Sequence, residues 1–337
     1  MGSGHAMSET YIESSLTDQD QAFEIPLRPQ KLEEFVGQEN LKARLELVLK
    51  AAKTRGEALG HLLFFGPPGL GKTTLGSILA HNMDSKLITT SGPALEKPGD
   101  LAGILTKLEK GDVLFIDEIH RLNKTIEEYL YSAMEDFSLD LIIDAGPHAR
   151  SVQVTLKPFT LIGATTRFGL ISSPMRSRFS HSFRLDYYSD EDLQQIIKRT
   201  SSLLKYEIDD SAAMDIAKRS RGTPRIANNL LRWVRDYAQV HKRKKIDSQS
   251  ALDALSMLSI DEMGLDEMDK KILSIIIDHH KGGPVGMSTI AIGIGEEAST
   301  LTEVYEPYLI MKGLIKRTPR GREVTQLAYQ HLGRKTS

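Results

Sequence analysis

The run Gly66-Pro67-Pro68-Gly69-Leu70-Gly71-Lys72-Thr73 has the spacing G-x-x-x-x-G-K-[ST], and the chemistry of that spacing is the holding of phosphate. Glycines such as Gly69 and Gly71 let the backbone curl until successive N–H groups point inward at phosphate oxygens. A helix beginning near Lys72 adds its positive N-terminal end. Lys72 places a point charge on the β- and γ-phosphates, and the Thr73 hydroxyl can ligate Mg²⁺. The ligand expected is ATP or its product ADP. Further along, "VLFIDEIH" (113–120) ends an apolar run in two acids. Asp117 is placed to hold Mg²⁺, directly or through water, and Glu118 to polarise a water for attack on the γ-phosphate. Paired acids after a strand also cap helices; the phosphate loop upstream is what gives these two a catalytic reading.

Three further polar positions extend the constellation. "FTLIGATT" (159–166) ends in threonines, and Thr166 either hydrogen-bonds the attacking water or the γ-phosphate, or caps the next turn. In "SSPMRSRFS" (172–180), Arg176 and Arg178 lie near a helix end. They are either a solvated face or a finger presented to a neighbouring subunit's γ-phosphate, a device worth roughly 10³–10⁵ in rate. In "RGTPRIANNLL" (221–231), Pro224 suits a first helical turn. Arg225 then sits where the helix dipole disfavours a cation, which points to an anionic partner such as the nucleotide.

These groups need a scaffold. "HLLFF" (61–65), "KLITT" (86–90), "DVLFID" (112–117) and "FTLIGATT" read as buried strands, with helical patterns at 71–83 and 124–137 between them. Alternation of this kind gives an α/β fold with a parallel sheet covered on both faces. After about residue 187 the strands stop, and 189–204, 209–220, 224–242 and 247–258 read as helices. From about 267, three helical segments precede "LIKRTPRGREVTQ", two short strands around a turn, which is the order of a winged helix. The expected domains are a tail over 1–23, an α/β ATPase domain over 24–186, a helical lid over 187–258 and a winged helix over 259–337. Residues 1–7 read as a cloning remnant and 8–23 as a mobile tail.

The chain has 337 residues, a formal net charge of −2 and no cysteine. Its size calls for more than one domain. The near-neutral balance excludes a global field for polyanions, so any nucleic-acid surface must be local. The lack of cysteine suits a reducing cytoplasm, and no apolar run is long enough for a membrane span. Positive charge gathers at the end of the chain. Over 312–337, Lys312, Lys316, Arg317, Arg320, Arg322, Arg334 and Lys335 face a single acid, Glu323. Arg320 is expected at the apex of the wing with Arg317 and Arg322 on its flanks, touching phosphates along a groove. A second hairpin is expected over 139–156, turning at Gly146-Pro147. Its Leu141, Ile142 and Ile143 are too apolar for a solvated protrusion and mark either an interface or a packed core.

Taken in order, "GPPGLGKTT", "LFIDEIHRL", "LIGATTR", "RSRF" and "GTPRIANNLLR" resemble an AAA+ ATPase. More narrowly, "LRPQKLEEFVGQE" (27–39), "TTSGPALEKPGDLAGILTKLE" (89–109) and "EPYLIMKGLIKRTPRGR" (306–322) resemble the RuvB family of Holliday-junction branch-migration motors. The likeness covers roughly residues 24–333. It implies a P-loop AAA+ domain, a helical lid and a winged helix. It also implies a homo-hexameric ring on duplex DNA, loaded at a four-way junction by RuvA and joined by RuvC for resolution. Residue by residue, it implies that Leu27 and Arg28 lie on the adenine side. Gly69, Gly71, Lys72, Thr73 and Thr74 cradle phosphate, and Asp117 and Glu118 are the magnesium and water-activating acids. Thr166 is the first sensor, Arg178 the trans finger and Arg225 the second sensor, while Glu135, Asp136, Phe137 and Tyr188 are nucleotide-proximal. Arg317, Arg320 and Arg322 contact DNA, and the 139–156 hairpin docks RuvA. Two departures stand out: Ser180 follows "RF" where the family has glycine, and "GEEASTLTEV" (295–304) lacks an expected basic residue. Two rival readings are a clamp loader or replication initiator acting as a switch, and a protein-remodelling ATPase without DNA. The wing disfavours the first, and the lack of an aromatic pore loop between 91 and 111 disfavours the second.

Overall fold

A computed structural model describes residues 25–142 and 151–335. The expectations for the tail, for the 146–147 turn and for Ile143 fall outside them. The chain divides into two compact units, Leu27–Tyr188 and the region from Ser189 onward.

In the first unit, β1 (Leu62–Phe65), β2 (Leu87–Ser91), β3 (Val113–Asp117), β6 (Thr160–Thr165) and β7 (His181–Arg184) form one sheet. Its order is β2-β3-β6-β1-β7, all pairs parallel. β1, β3 and β6 are almost wholly buried because helices cover both faces of a parallel sheet. Around it lie α1 (Glu39–Arg55), α2 (Lys72–Asn82), α3 (Pro98–Leu105), α4 (Lys124–Glu135) and α5 (Ser173–Arg178). α2 rides close on β3, since a Cβ on Gly76 would stand 2.6 Å from the Phe115 ring. β7 escapes the sequence reading: "HSFR" buries only Phe183, and an edge strand carries no apolar run. β4 (Ser138–Ile142) and β5 (Ser151–Thr155) form the expected hairpin, antiparallel from Ser138↔Thr155 to Ile142↔Ser151.

In the second unit, α6 (Asp190–Leu203), α7 (Asp210–Arg219), α8 (Pro224–Val240) and α9 (Ser248–Ser256) form the helical group. Side-chain caps fix the starts of α6, α8 and α9: Ser189 accepts from Asp192 N, Thr223 from Ile226 N and Asp247 from Ser250 N, each removing an orphaned donor. A two-residue parallel pair, β8 (Glu207–Ile208) with β9 (Lys245–Ile246), also occurs here, in a stretch where no strands were expected. The winged helix follows. α10 (Glu267–Ser274) runs on into a π-turn, Ile275–His279. After α11 (Met287–Ile294), a helical run ends in α12 (Glu306–Met311), then β10 (Ile315–Thr318), β11 (Gly321–Val324) and α13 (Gln326–His331). Val285 bridges to Arg322 as a third, one-residue strand. No helix among the described residues is long and apolar enough to cross a membrane.

His61, just before β1, sets a pH dependence. Leu161 N–H donates to its Nδ1 at 2.9 Å, so Nε2 carries the proton and donates to Met134 O at 3.1 Å. Burial lowers its pKa from 6.5, against a smaller upward pull from the Met134 carbonyl. His120 is also lowered, chiefly by burial. For both, the unfolded chain takes up a proton first, so stability is lost as pH falls below about 6.5. The melting temperature is expected to drop between pH ~7.5 and ~5.5, and to drop less in His61→Gln.

Candidate nucleotide site and nucleic-acid wing

Three adjacent strands deliver the chemistry to one edge. β1 runs into the glycine loop, β6 into Thr166, and β3 into Asp117 and Glu118. All three lie at the C-terminal ends of parallel strands, where open α/β sheets bind ligands. Gly66, Gly69 and Gly71 have φ of +143°, +76° and +96°, conformations that favour glycine. A Cβ on Gly66 would sit 2.3 Å from Leu185 O, and one on Gly71 3.1 Å from the Phe35 ring. Lys72 opens α2, and its Nζ donates to the carbonyls of Gly66 (2.9 Å) and Pro67 (2.7 Å), drawn across the loop. Tyr188 is buried and donates to Leu70 O at 3.1 Å, clasping the loop from behind. Leu27 is buried at the start of the unit, Arg28 half-buried, Thr73 half-buried and Thr74 buried. A glycine loop in left-handed conformations, closed by a lysine at the start of the next helix, suits a nucleoside polyphosphate. Thr73 and Asp117 are the oxygen donors that a Mg²⁺ sharing that phosphate would take.

Glu118 has φ +48°, a left-handed conformation that costs a non-glycine residue roughly 1–3 kcal/mol. Its N–H donates to Asp117 Oδ1 at 2.9 Å, and its carboxylate pairs with Arg121 at 3.0 Å. Gly92, in the "TTSGP" segment, packs behind it, and a Cβ there would be 2.5 Å from Glu118 O. β6 separates its two threonines. Thr165 ends the strand wholly buried, bonded to His120 Nδ1 at 2.9 Å and accepting from Arg167 N at 2.9 Å. Thr166, one residue on, is exposed. The Thr165–His120 pair was missed by sequence reasoning. Adjacent threonines at a strand end look alike in sequence, although alternation sends them to opposite faces.

Arg178, Glu135, Asp136 and Phe137 lie elsewhere. Arg178 donates to Glu135 Oε2 at 2.9 Å and to Pro174 O at 2.7 Å, with its guanidinium 4.2 Å from the Tyr131 ring centroid. Phe137 follows α4 with φ +46°, its ring 6.3 Å from His61. Asp136 is exposed. His61 precedes β1, and Arg178 precedes β7, whose first residue His181 pairs with Leu62. This cluster therefore sits at the N-terminal edge of the sheet, and the loop at the C-terminal edge. At about 3.3 Å per residue, a four-residue strand separates the two by roughly 13 Å. These residues therefore lie at the sheet edge opposite the phosphate loop of their own chain.

In the second unit, Arg225 stands in the first turn of α8, half-buried, after the Thr223 cap and Pro224. Four residues earlier, Arg221 is buried with φ +52°. It donates to Gly264 O at 3.1 Å and to Asp269, lies 3.8 Å from Asp266, and stands 4.8 Å over the Tyr308 ring. Burial pushes Asp269 well above the usual carboxylate range; Arg221 pulls it down and Asp266 adds to the upward push. This network ties the loop before α8 to the winged helix.

At the wing, β10 and β11 pair from Ile315↔Val324 to Thr318↔Gly321, leaving Pro319-Arg320 as the two-residue turn. Gly321 has φ +139°, and a Cβ there would meet Val285 O at 2.5 Å. Arg320 is exposed at the apex as expected. Its neighbours are engaged: Lys316 pairs with Glu323 at 2.9 Å, while Arg317 and Arg322 both pair with Glu306 at 2.6 and 2.8 Å. Glu306 was not anticipated. "EPYLIM" reads as an ordinary helix start, and only the fold brings it under the hairpin. Leu141 and Ile142 pair in the β4–β5 ladder; Val152 on the partner strand is exposed.

A parallel sheet carrying a phosphate loop, strand-end acids and an arginine at the far edge, followed by a helical group and a winged helix, defines a P-loop ATPase of the AAA+ class. Family models agree along nearly the whole chain: the Holliday junction DNA helicase RuvB P-loop domain over residues 27–185, the RuvB AAA lid domain over 188–261 and the RuvB C-terminal winged helix domain over 262–333. The chain is 64% identical over 326 residues to the Holliday junction branch migration complex subunit RuvB of Protochlamydia amoebophila, covering 97% of this chain and 98% of that one. It is 60% identical to the same subunit of Chlamydia pneumoniae, covering 94% of each. The solved RuvB Holliday junction branch migration motor of Thermotoga maritima matches with a TM-score of 0.84 and 55% identity, covering 93% of this chain and all of that one. The chain belongs to the RuvB family, and with it to the nucleotide-binding, ATP-hydrolysing motors of branch migration.

Proposed function

We propose that the chain works as a homo-hexameric ring on duplex DNA, with each nucleotide site completed by the neighbouring subunit. The observation that carries this reading is the separation of phosphate loop and Arg178 to opposite edges of one sheet. A finger that cannot serve its own loop serves the next one in a head-to-tail contact, and such contacts form a ring when the rotation between neighbours closes. In such a ring Gly69, Gly71, Lys72, Thr73 and Thr74 hold the phosphates, Leu27, Arg28 and Tyr188 flank the nucleotide, and Thr73 and Asp117 hold Mg²⁺. That ion, when bound, offsets phosphate charge. Glu118 positions the attacking water, and Thr166 senses the γ-phosphate. Arg178 leaves Glu135 for the neighbour's phosphate, and Glu135, Asp136 and Phe137, on the same edge of the sheet, lie at that interface. Arg225 senses the nucleotide from the lid, and the lid carries the wing. The proposed domains remain 24–186, 187–258 and 259–337.

The DNA contact is assigned to Arg317, Arg320 and Arg322, acting on phosphates and so without regard to sequence. Arg320→Ala is expected to weaken duplex binding uniformly across sequences. The log–log salt slope is expected to fall by about 0.9, one phosphate contact's worth. Filter binding at two salt concentrations checks both, and an unchanged slope would remove Arg320 from the contact. The β4–β5 hairpin, with Leu141, Ile142 and Ile143, is assigned to RuvA docking, and RuvC joins in the resolving complex, all in the cytoplasm. The test of the function is ATP-dependent dissociation of a synthetic four-way junction with and without RuvA. Dissociation that needs ATP supports the reading, and ATP hydrolysis that leaves the junction intact under both conditions contradicts it.

A further inference from the structure

Glu306 opens α12 beneath the wing with its side chain wholly buried. Its Oε1 accepts from Nε of Arg317 at 2.9 Å and from Nε of Arg322 at 2.8 Å. Its Oε2 accepts from Nη2 of the same two residues at 2.6 and 3.3 Å. One carboxylate thus takes an N–H pair from each of two guanidiniums. The two arginines are register partners across the hairpin, and like charges directly opposite one another on neighbouring strands repel. Burial by itself pushes the Glu306 pKa up. The hydrogen bonds and charges of Arg317 and Arg322 outweigh it and hold the carboxyl below its ordinary value, so it stays ionised beneath them.

Anchoring alone does not call for this arrangement. A buried charge is expensive, and apolar residues that replace a whole ion-paired cluster hold two elements together as well or better. What a carboxylate adds is direction. It binds the Nε–Nη2 edge of each guanidinium in the paired geometry that the arginine fork matches. The Nη1 groups of both make no hydrogen bond among the described residues, and Arg317 keeps 56% of its side chain exposed.

We propose that Glu306 is the positioning residue of the wing, fixing Arg317 and Arg322 side by side so that their outer edges form one preorganised clamp for a duplex phosphate. The proposal rests on the reading of the wing as the DNA contact. The carboxylate stands to the arginines as a second carboxylate stands to a metal-bound histidine: it touches no ligand and orients the group that does. Holding two long side chains in advance removes an ordering cost from each binding event, and a motor that grips and releases repeatedly meets that cost every cycle.

The test compares duplex DNA binding by the full chain with that of Glu306→Gln, Glu306→Met, Arg317→Ala, Arg322→Ala, the double variant R317A/R322A and the triple variant E306Q/R317A/R322A. Charge alone predicts that removing a carboxylate beside a polyanion tightens binding. The clamp predicts the reverse, an apparent Kd raised about tenfold. It also predicts that the triple variant binds no more weakly than R317A/R322A, because groups acting as a unit are not additive. Glu306→Met keeps the volume but leaves two opposed guanidiniums without their anion, so it is expected to melt earlier than the unmodified chain; below that melting temperature it is expected to show the same loss of affinity as Glu306→Gln. If Glu306→Met and Glu306→Gln bind duplex as tightly as the unmodified chain or more tightly, while the arginine variants bind weakly, the positioning role is wrong and the wing reading stands. If Arg317→Ala and Arg322→Ala also bind normally, the wing reading fails and the proposal with it.

Discussion

Lys72→Ala is expected to lower steady-state ATP hydrolysis by about 10³-fold or more, the scale on which phosphoryl-transfer sites lose rate when a charge on the transferred group is removed. The expectation follows from position. Lys72 is buried at the first turn of α2, and its ammonium reaches back across the loop to Gly66 O and Pro67 O. Those carbonyls mark where the charge sits, at the mouth of a cradle whose remaining donors are backbone N–H groups. Alanine keeps the helix and the glycine conformations and removes only that charge. Binding of a fluorescent ATP analogue and turnover should therefore fall together, with melting unchanged. A variant that turns over ATP at more than a tenth of the normal rate would place the phosphates elsewhere.

Arg178→Ala separates two functions that Lys72→Ala removes together. Its guanidinium lies at the sheet edge opposite its own loop, held by Glu135, Pro174 O and the Tyr131 ring. Nucleotide affinity is therefore expected to stay within about twofold, while kcat falls by roughly 10³–10⁵, the range for a missing arginine finger. Stability should change little, because the lost ion pair has an exposed acid partner and such pairs contribute on the order of 0–1 kcal/mol. Single-turnover hydrolysis at saturating ATP is the measurement. Normal hydrolysis would make Arg178 a surface arginine and nothing more.

Much of this was legible in the sequence because the signals are local. The glycine loop, the apolar runs of β1, β3 and β6 and the start of α8 at Pro224 each declare themselves within a dozen residues. What stayed hidden depends on contacts between distant segments. β7 is a polar edge strand that exists because β1 offers it a partner. The two-residue β8–β9 pair is too short to leave a pattern. The choice between Thr165 and Thr166 is made by pleat and by His120, forty-five positions away in sequence. Glu306 takes its role from a hairpin that folds over it. Arg221 looks like one more basic residue between two helices, and only the fold buries it against Asp269. The residues of the Glu135–Phe137 segment were expected near a nucleotide, and no sequence signal says that they lie at the sheet edge opposite the loop of their own chain.

The central claim is that each active site is built from two protomers. It is tested most directly by mixing the two inactive variants, Lys72→Ala and Arg178→Ala, at equal concentration on duplex DNA. In a ring of random composition, an intact loop meets an intact finger at about a quarter of the head-to-tail contacts. The mixture is therefore predicted to recover ATPase activity well above the sum of the two variants measured alone, approaching that fraction of the unmodified rate. A mixture no more active than that sum would mean that loop and finger act within a single chain, and would contradict a site shared between neighbours.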